Sequence, residues 1–295
     1  MANDPSILVS DLFRSAMTGL DREEEYPIEP PVGWSAISRL QAMGTAEVFN
    51  VALAACVDPN PVKRRVGAAV LGQLGHIPPA DTPVLREERF RALSDLLAAE
   101  RVGAADPAVL KEACYALGHL HDPRAIPALL ELRTHPDARV RSSVVSGLSG
   151  YEEPEAIDSL IALSADADAD VRDWATFGLG QLIASDTPAL RAALHARLDD
   201  TCVDARNEAI EGLATRGDLT VLPVLIRELH QQVALPLLDA AAALAAPELC
   251  EALSAARERG LVIQVSHSPY DLLTAWTDAS RACGCCGWIA EQSRQ

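Results

Sequence analysis

The chain has 295 residues, of which 49% are apolar, 23% charged and 4% aromatic, and its formal net charge is −17. That length and apolar share describe a folded chain of one or two domains, not a disordered one. The acidic excess excludes a general nucleic-acid binder, whose affinity comes from neutralising phosphates, and adhesion to an anionic membrane surface.

The start, Met1-Ala2-Asn3-Asp4-Pro5, has no basic region ahead of an apolar run, so no signal peptide is expected. No apolar stretch approaches the roughly 20 residues that span a bilayer, and the expected location is the cytoplasm. Pro5 to Leu20 predicts one amphipathic helix, followed by an acidic, proline-rich connector that holds Glu23-Glu24-Glu25. The organisation expected is a leading helix and connector over 1–30, a repeat region over 31–259 and a cysteine-containing tail over 260–295. Ser35–Met43 and Ala46–Cys56 predict a first, capping hairpin. Pro78-Pro79 marks a loop, and Val84 to Ala99 predicts a longer helix.

Self-similarity then dominates. The stretch from Asp106 to Gly118 aligns with Asp137 to Ser149 and with Asp168 to Gly180. Their valine slots, Val109, Val140 and Val171, lie 31 residues apart, and Ala205-Arg206 fills the same slots 34 residues further on. An earlier copy begins at Asp58 and a degenerate one runs through Pro236, Ala240 and Leu244. In each unit Asp or Asp-Pro opens a helix, because Asp accepts free N–H groups and Pro suits the first turn. Apolar residues recur at three- and four-residue steps, as in Val171, Ala175, Gly178, Leu179 and Leu182. A break such as His121-Asp122-Pro123 leads into a second amphipathic helix, such as Ala125 to Leu130 or Ala156 to Ile161. No run of β alternation appears. A two-helix unit of this size cannot hide its apolar face alone, so the units must stack. Past Gly260 the pattern stops, and Pro269 predicts a further helix from about Tyr270 to Ala282.

The Asp-x-x-Val-Arg…Ala-x-x-x-Leu-Gly slots resemble HEAT repeats, of the short subtype named for phycobilisome lyases, over roughly residues 31–259. The resemblance implies an all-α fold, a right-handed α-solenoid of about six or seven HEAT-like hairpins. It also implies that the arginine after the valine joins a ladder between neighbouring repeats; the matching residues are Arg64, Arg141, Arg172 and Arg206, with Leu110 interrupting the row. A ligand-binding row is the alternative.

Several enzymes use such a scaffold. Deoxyhypusine hydroxylases hold iron with His-Glu pairs just after the arginine slot; here those slots read Lys111-Glu112, Ser142-Ser143, Asp173-Trp174 and Asn207-Glu208, and the chain has no His-Glu dipeptide. HEAT-like DNA glycosylases need a basic groove, and this chain has two lysines, Lys63 and Lys111. Bilin lyases and their relatives want cysteine, histidine or arginine in a groove, which here are scattered. For metals, Cys283, Cys285 and Cys286 with His267 upstream form a weak candidate without a second Cys-x-x-Cys; a flexible tail is the plainer reading. His119, His121 and His135 fall at turns, where solvated histidines are ordinary. Cys56, Cys114, Cys202 and Cys250 sit singly on apolar faces and read as reduced thiols. Neither a phosphate-cradling glycine loop nor a Gly-x-Ser-x-Gly elbow is present, and no cofactor is expected.

Binding residues should stand out as exceptions to the repeat. Two and five residues past the arginine slot most copies are small or polar, but one copy carries Trp174 and Phe177, three apart on one helix face, and another carries Tyr115. The alternative is that the tail or the next repeat covers the aromatics. Glu131, Asp158 and Arg227 offer further contacts from the second helices. The reading is a non-enzymatic protein-binding scaffold of bacterial type, with an inhibitor or immunity protein for a basic partner as its narrower form. The alternative class is an enzyme or cofactor chaperone of the lyase type.

Overall fold

The computed structural model describes residues 5–18, 32–75, 85–102, 106–258 and 272–285, and among them every regular element is helical. The chain forms two compact units, Met1–Ala156 and Ile157–Gln295. The first holds α1 (Pro5–Ala16), α2 (Val32–Met43), α3 (Ala46–Cys56), α4 (Pro61–Gly72), α5 (Arg86–Val102), α6 (Pro107–Leu120), α7 (Ile126–Leu130) and α8 (Ala138–Leu148). Helix α9 (Pro154–Leu163) straddles the boundary. The second unit continues with α10 (Ala169–Phe177), α11 (Pro188–Arg197), α12 (Val203–Thr215), α13 (Leu222–Leu229), α14 (Leu235–Leu244), α15 (Cys250–Glu258) and α16 (Leu272–Ala282).

Each unit is a stack of helical hairpins, so the architecture is an all-α solenoid of repeats. In the first, α2, α4, α6 and α8 pack side by side as one row, and α3, α5 and α7 form the other. In the second, α10, α12, α14 and α16 are the first row. The repeat slots explain this. Val109, Val140 and Val171 are buried, as are Leu117, Leu148 and Leu179 one repeat apart from each other. Asn60, Asp106, Asp137 and Asp168 each accept a backbone N–H at the start of their helix. Small residues at the helix ends bring backbones together: a Cβ on Gly118 would lie 2.9 Å from the Gly147 Cα, and one on Gly72 2.9 Å from the Ala116 Cα.

The row of arginines has a repeated geometry. Arg172 Nη1 donates to the carbonyls of Asp166 (2.9 Å) and Ala167 (3.2 Å), six and five residues back. Arg64 and Arg141 do the same with Asp58 and Pro59, and with His135 and Pro136. Arg206 donates to the Asp200 carbonyl at 2.6 Å. Three of them also reach a carboxylate beyond their own helix: Arg64 to Glu100 (2.5 Å), Arg172 to Asp200 (2.9 Å) and Arg206 to Glu228 (3.6 Å). Two arginines outside the row cap helix ends. Arg89, only 5% exposed, donates to the carbonyls of Leu71, Gly72 and Leu74. Arg216 does so for Leu179, Gly180 and Ile183.

Three details correct the sequence reading. Cys250 is bonded to Cys285, with 5.5 Å between Cα atoms, so it is not a reduced thiol and Cys285 is not a free metal ligand. Its partner lies just past α16, a helix which the repeat pattern does not reach but which packs on α14 and α15. Gly178–Leu182 widens into a π-helical turn instead of continuing α10 as α-helix. The second helix around Ala125 to Leu130 is a 3-10 turn, Pro123–Ala125, followed by a short α7, because Pro123 and Pro127 each deny it an N–H. Pro78-Pro79, Glu23-Glu24-Glu25, His267 and Cys286 lie outside the described residues.

Candidate functional site

Helix α10 turns Val171 and Ala175 into the core, which leaves Asp173, Trp174 and Phe177 on its outer faces. The Trp174 side chain is 48% exposed, and its ring meets Phe177 edge-on with centroids 5.8 Å apart and planes at 84°. The next first-row helix, α12, presents Glu208 and Glu211 from the slots equivalent to Trp174 and Phe177, and α14 presents Asp239.

These carboxylates hold their protons unusually well. Burial first, then Asp204 and Asp170, pushes Asp173 up to about 6. Burial, then Glu211, Asp173 and Asp204, pushes Glu208 up to about 8, with the Gln181 amide beside it offsetting a part. Burial and then Asp239 push Glu211 up to about 7, and burial and then Asp278 raise Asp239. Among the described residues, the charged neighbours that act most on the four are all carboxylates. Asp173 Oδ1 is a buried atom with no hydrogen-bond partner among the described residues, and Glu208 Oε2 is buried with the Gln181 amide as a weak neighbour. The cost of such atoms is met when a donor or cation reaches them.

Four of the six residues singled out in the sequence, Trp174, Phe177, Asp158 and Arg227, lie in the second unit. Trp174 and Phe177 adjoin each other on α10 of the second unit. Asp158, exposed on α9, and Arg227, paired with Asp199 (3.5 Å) and Glu228 (3.1 Å) on α13, lie outside that row. Tyr115 and Glu131 belong to the first unit. Glu131 pairs with Arg101. Tyr115 is half-buried on α6, with its phenol raised by burial while Ser146 and Ser142 hydrogen-bond to it. The cluster Asp173, Glu208, Glu211 and Asp239 was missed as a group. Its signal was available: the slots after the arginine that hold serine in one copy hold glutamate in another.

Among the described residues no group of three or more His, Cys, Asp or Glu is placed to hold a metal ion. His119 Nε2 stands 2.7 Å from Gln73 Nε2, His121 stacks on Tyr151 with centroids 4.5 Å apart, and His135 accepts the Asp137 N–H. Of the described helices none is long and apolar enough to cross a membrane.

Fold and surface together define a helical-repeat protein that offers a row of side chains from successive hairpins. The family model for HEAT repeats matches residues 92–180. Comparison with curated proteins finds no match. Among solved structures, the chain is similar to Escherichia coli YibA, with 22% identity, a TM-score of 0.63 and coverage of 95% of this chain and 98% of that one. It is also similar to Kap95p, solved with RanGDP, with 14% identity, a TM-score of 0.54 and coverage of 96% and 42%. Human deoxyhypusine hydroxylase matches at 18% identity and a TM-score of 0.34, over 95% of this chain and 96% of that one. An enzyme thus stands among the structures similar to this chain, and the non-enzymatic expectation is withdrawn.

Proposed function

We propose that the protein is a binding scaffold that recognises a cationic segment of a partner protein on the first-row face of its second unit. The observation that carries this reading is the crowding of Asp173, Glu208 and Glu211 on the packed helices α10 and α12, the first of which also carries the exposed Trp174, with carboxylates as the main charged neighbours acting on them among the described residues. A lysine or arginine side chain arriving between them satisfies buried acceptors and restores their ionisation. The Trp174 and Phe177 rings give its aliphatic stem or guanidinium a surface to lie on. Helices fixed by their neighbours pay little ordering cost on binding. A partner whose own working surface is cationic is blocked while held there, which is the form an inhibitor of a basic protein takes.

The test is fluorescence anisotropy with a labelled Arg/Ser peptide and a Glu/Ser peptide of equal length. The arginine peptide should bind, weaken as salt rises, and bind better as pH goes from 6 towards 8 while the carboxylates ionise. Trp174→Ala with Phe177→Ala should cost about 2 kcal/mol. Equal binding of both peptides, or indifference to the aromatic double variant and to Glu208→Gln, removes the reading.

A further inference from the structure

The first unit presents a different chemistry on its first row. Trp34 of α2, Arg65 of α4 and Lys111, Tyr115 and His119 of α6 line a cavity of about 210 Å³. Ala69, Gly72 and Ala116, also in its lining, are small and leave the space open. Lys111, Tyr115 and His119 are four residues apart in succession and so form one stripe along α6.

Two charge relationships set its electrostatics. Arg65 Nε stands 3.6 Å from the Glu112 carboxylate, which is buried, and the Arg65 guanidinium lies 5.9 Å from the Trp34 ring centroid. Burial raises Glu112 towards its protonated form against the opposing pull of Arg65 and Lys111, so this wall of the cavity is net cationic. Lys111 is its second cation. It is half-buried, acts on Glu112 through space, and has no hydrogen bond or ion pair among the described residues. In a chain with formal charge −17, a second lysine exists only at Lys63, and that one is paired with Asp58 at 2.8 Å. A half-buried ammonium lining the same cavity as Trp34 and Tyr115 is well placed for a single anionic oxygen pair, and the rings and small residues for an apolar body.

We infer that this cavity is a binding site for a carboxylate carried on a small aromatic body, with Lys111 receiving the carboxylate and Trp34 and Tyr115 flanking the ring. The volume is below the roughly 300 Å³ at which drug-sized sites begin, so the occupant is one ring and its acid. Two sources share that chemistry: a free aromatic acid, and the carboxyl terminus of a peptide ending in phenylalanine.

Isothermal titration of the full chain with 3-phenylpropanoate, its amide, Gly-Gly-Phe and C-terminally amidated Gly-Gly-Phe tests this. Each acid should bind about tenfold or more tightly than its amide. Lys111→Met should erase that preference, while Lys63→Met keeps it. Lys111→Met breaks no bond of the fold, so its thermal midpoint should match that of the parent; the acid-against-amide comparison stands on the unaltered chain in any case. Tighter binding of Gly-Gly-Phe than of 3-phenylpropanoate identifies a peptide terminus as the source, and the reverse a free acid. Equal binding of acid and amide, retention of the preference in Lys111→Met, or no saturable binding of any probe up to about 10 mM overturns the inference.

Discussion

Gly212 and Gly180 meet backbone to backbone across α12 and the π-helical turn after α10: a Cβ on Gly212 would stand 2.7 Å from the Gly180 Cα and 3.1 Å from a Leu194 methyl. Two opposing effects follow from adding that carbon. In an open helix, Gly→Ala gains up to about 1 kcal/mol from helix propensity. Here the neighbour is backbone and cannot step aside, so overpacking of about 1–3 kcal/mol should win. Gly212→Ala is therefore expected to lower stability in urea denaturation, and a gain would mean that the two helices are not in contact.

That contact also shows how far the sequence could be read. The valine, alanine and leucine slots of the repeat announced which faces are buried, because a 31-residue period places the same residue types at the same depth in each hairpin. The Gly180 slot was visible as part of the pattern, but its partner Gly212 belongs to a copy spaced 34 residues on, where the alignment loosens. Trp174 and Phe177 were legible because aromatics stood where most other copies have small or polar residues. The carboxylate group was legible only in part: Glu208 and Glu211 stood in the repeat slots, but Asp173, Glu208, Glu211 and Asp239 come from three helices, and only the packing of α10 on α12 and of α12 on α14 makes neighbours of them. The lone cysteines gave no pairing either: Cys250 and Cys285 are 35 residues apart and meet only once α16 docks.

The same carboxylates set a pH dependence whose sign runs opposite to the usual carboxylate case. Glu208 has a folded-state value of about 8 against an ordinary 4.5, so across that window the folded chain holds more protons than the unfolded one. Stability therefore falls as pH rises through the window. Glu208→Gln removes the penalty and should raise stability at pH 8 by about 1 kcal/mol, with little effect near pH 5. Urea midpoints at the two pH values check this; an equal shift at both rules the explanation out.

The Cys250–Cys285 disulfide ties the start of α15 to the turn that follows α16, across 35 residues. Closing a loop of that length restricts the unfolded chain by about 3–4 kcal/mol. Trp276, whose Nε1 donates to the Leu253 carbonyl at 2.7 Å, lies on the same docked helix and reports on it. Cys250→Ser, or treatment with dithiothreitol, should lower the urea midpoint of the second unit. Unchanged midpoints in both would mean that α16 is held by its packing alone.

Arg172 and Asp200 form a two-armed ion pair, Nε and Nη2 each 2.9 Å from a carboxylate oxygen, with both side chains largely buried. Burial works to raise Asp200, and Arg172, the Cys202 N–H and Arg197 together outweigh it and hold the group below the ordinary carboxylate range. A depressed carboxylate contributes stability above its unfolded value, and that contribution is lost as pH falls through the folded one. Arg172→Ala leaves the Asp200 charge buried with Arg197 as its remaining cation, at 3.0 Å. Removing one partner of a buried pair costs about 3–5 kcal/mol when nothing replaces it. With Arg197 in place the lower end, about 3 kcal/mol, is expected at neutral pH, and less in acid, where Asp200 takes up a proton. The double variant Arg172→Ala with Asp200→Ala should then cost less than the sum of the singles, since it leaves no unpaired charge behind. Additive costs in that cycle would assign the pair no coupling and make Arg172 a source of packing alone.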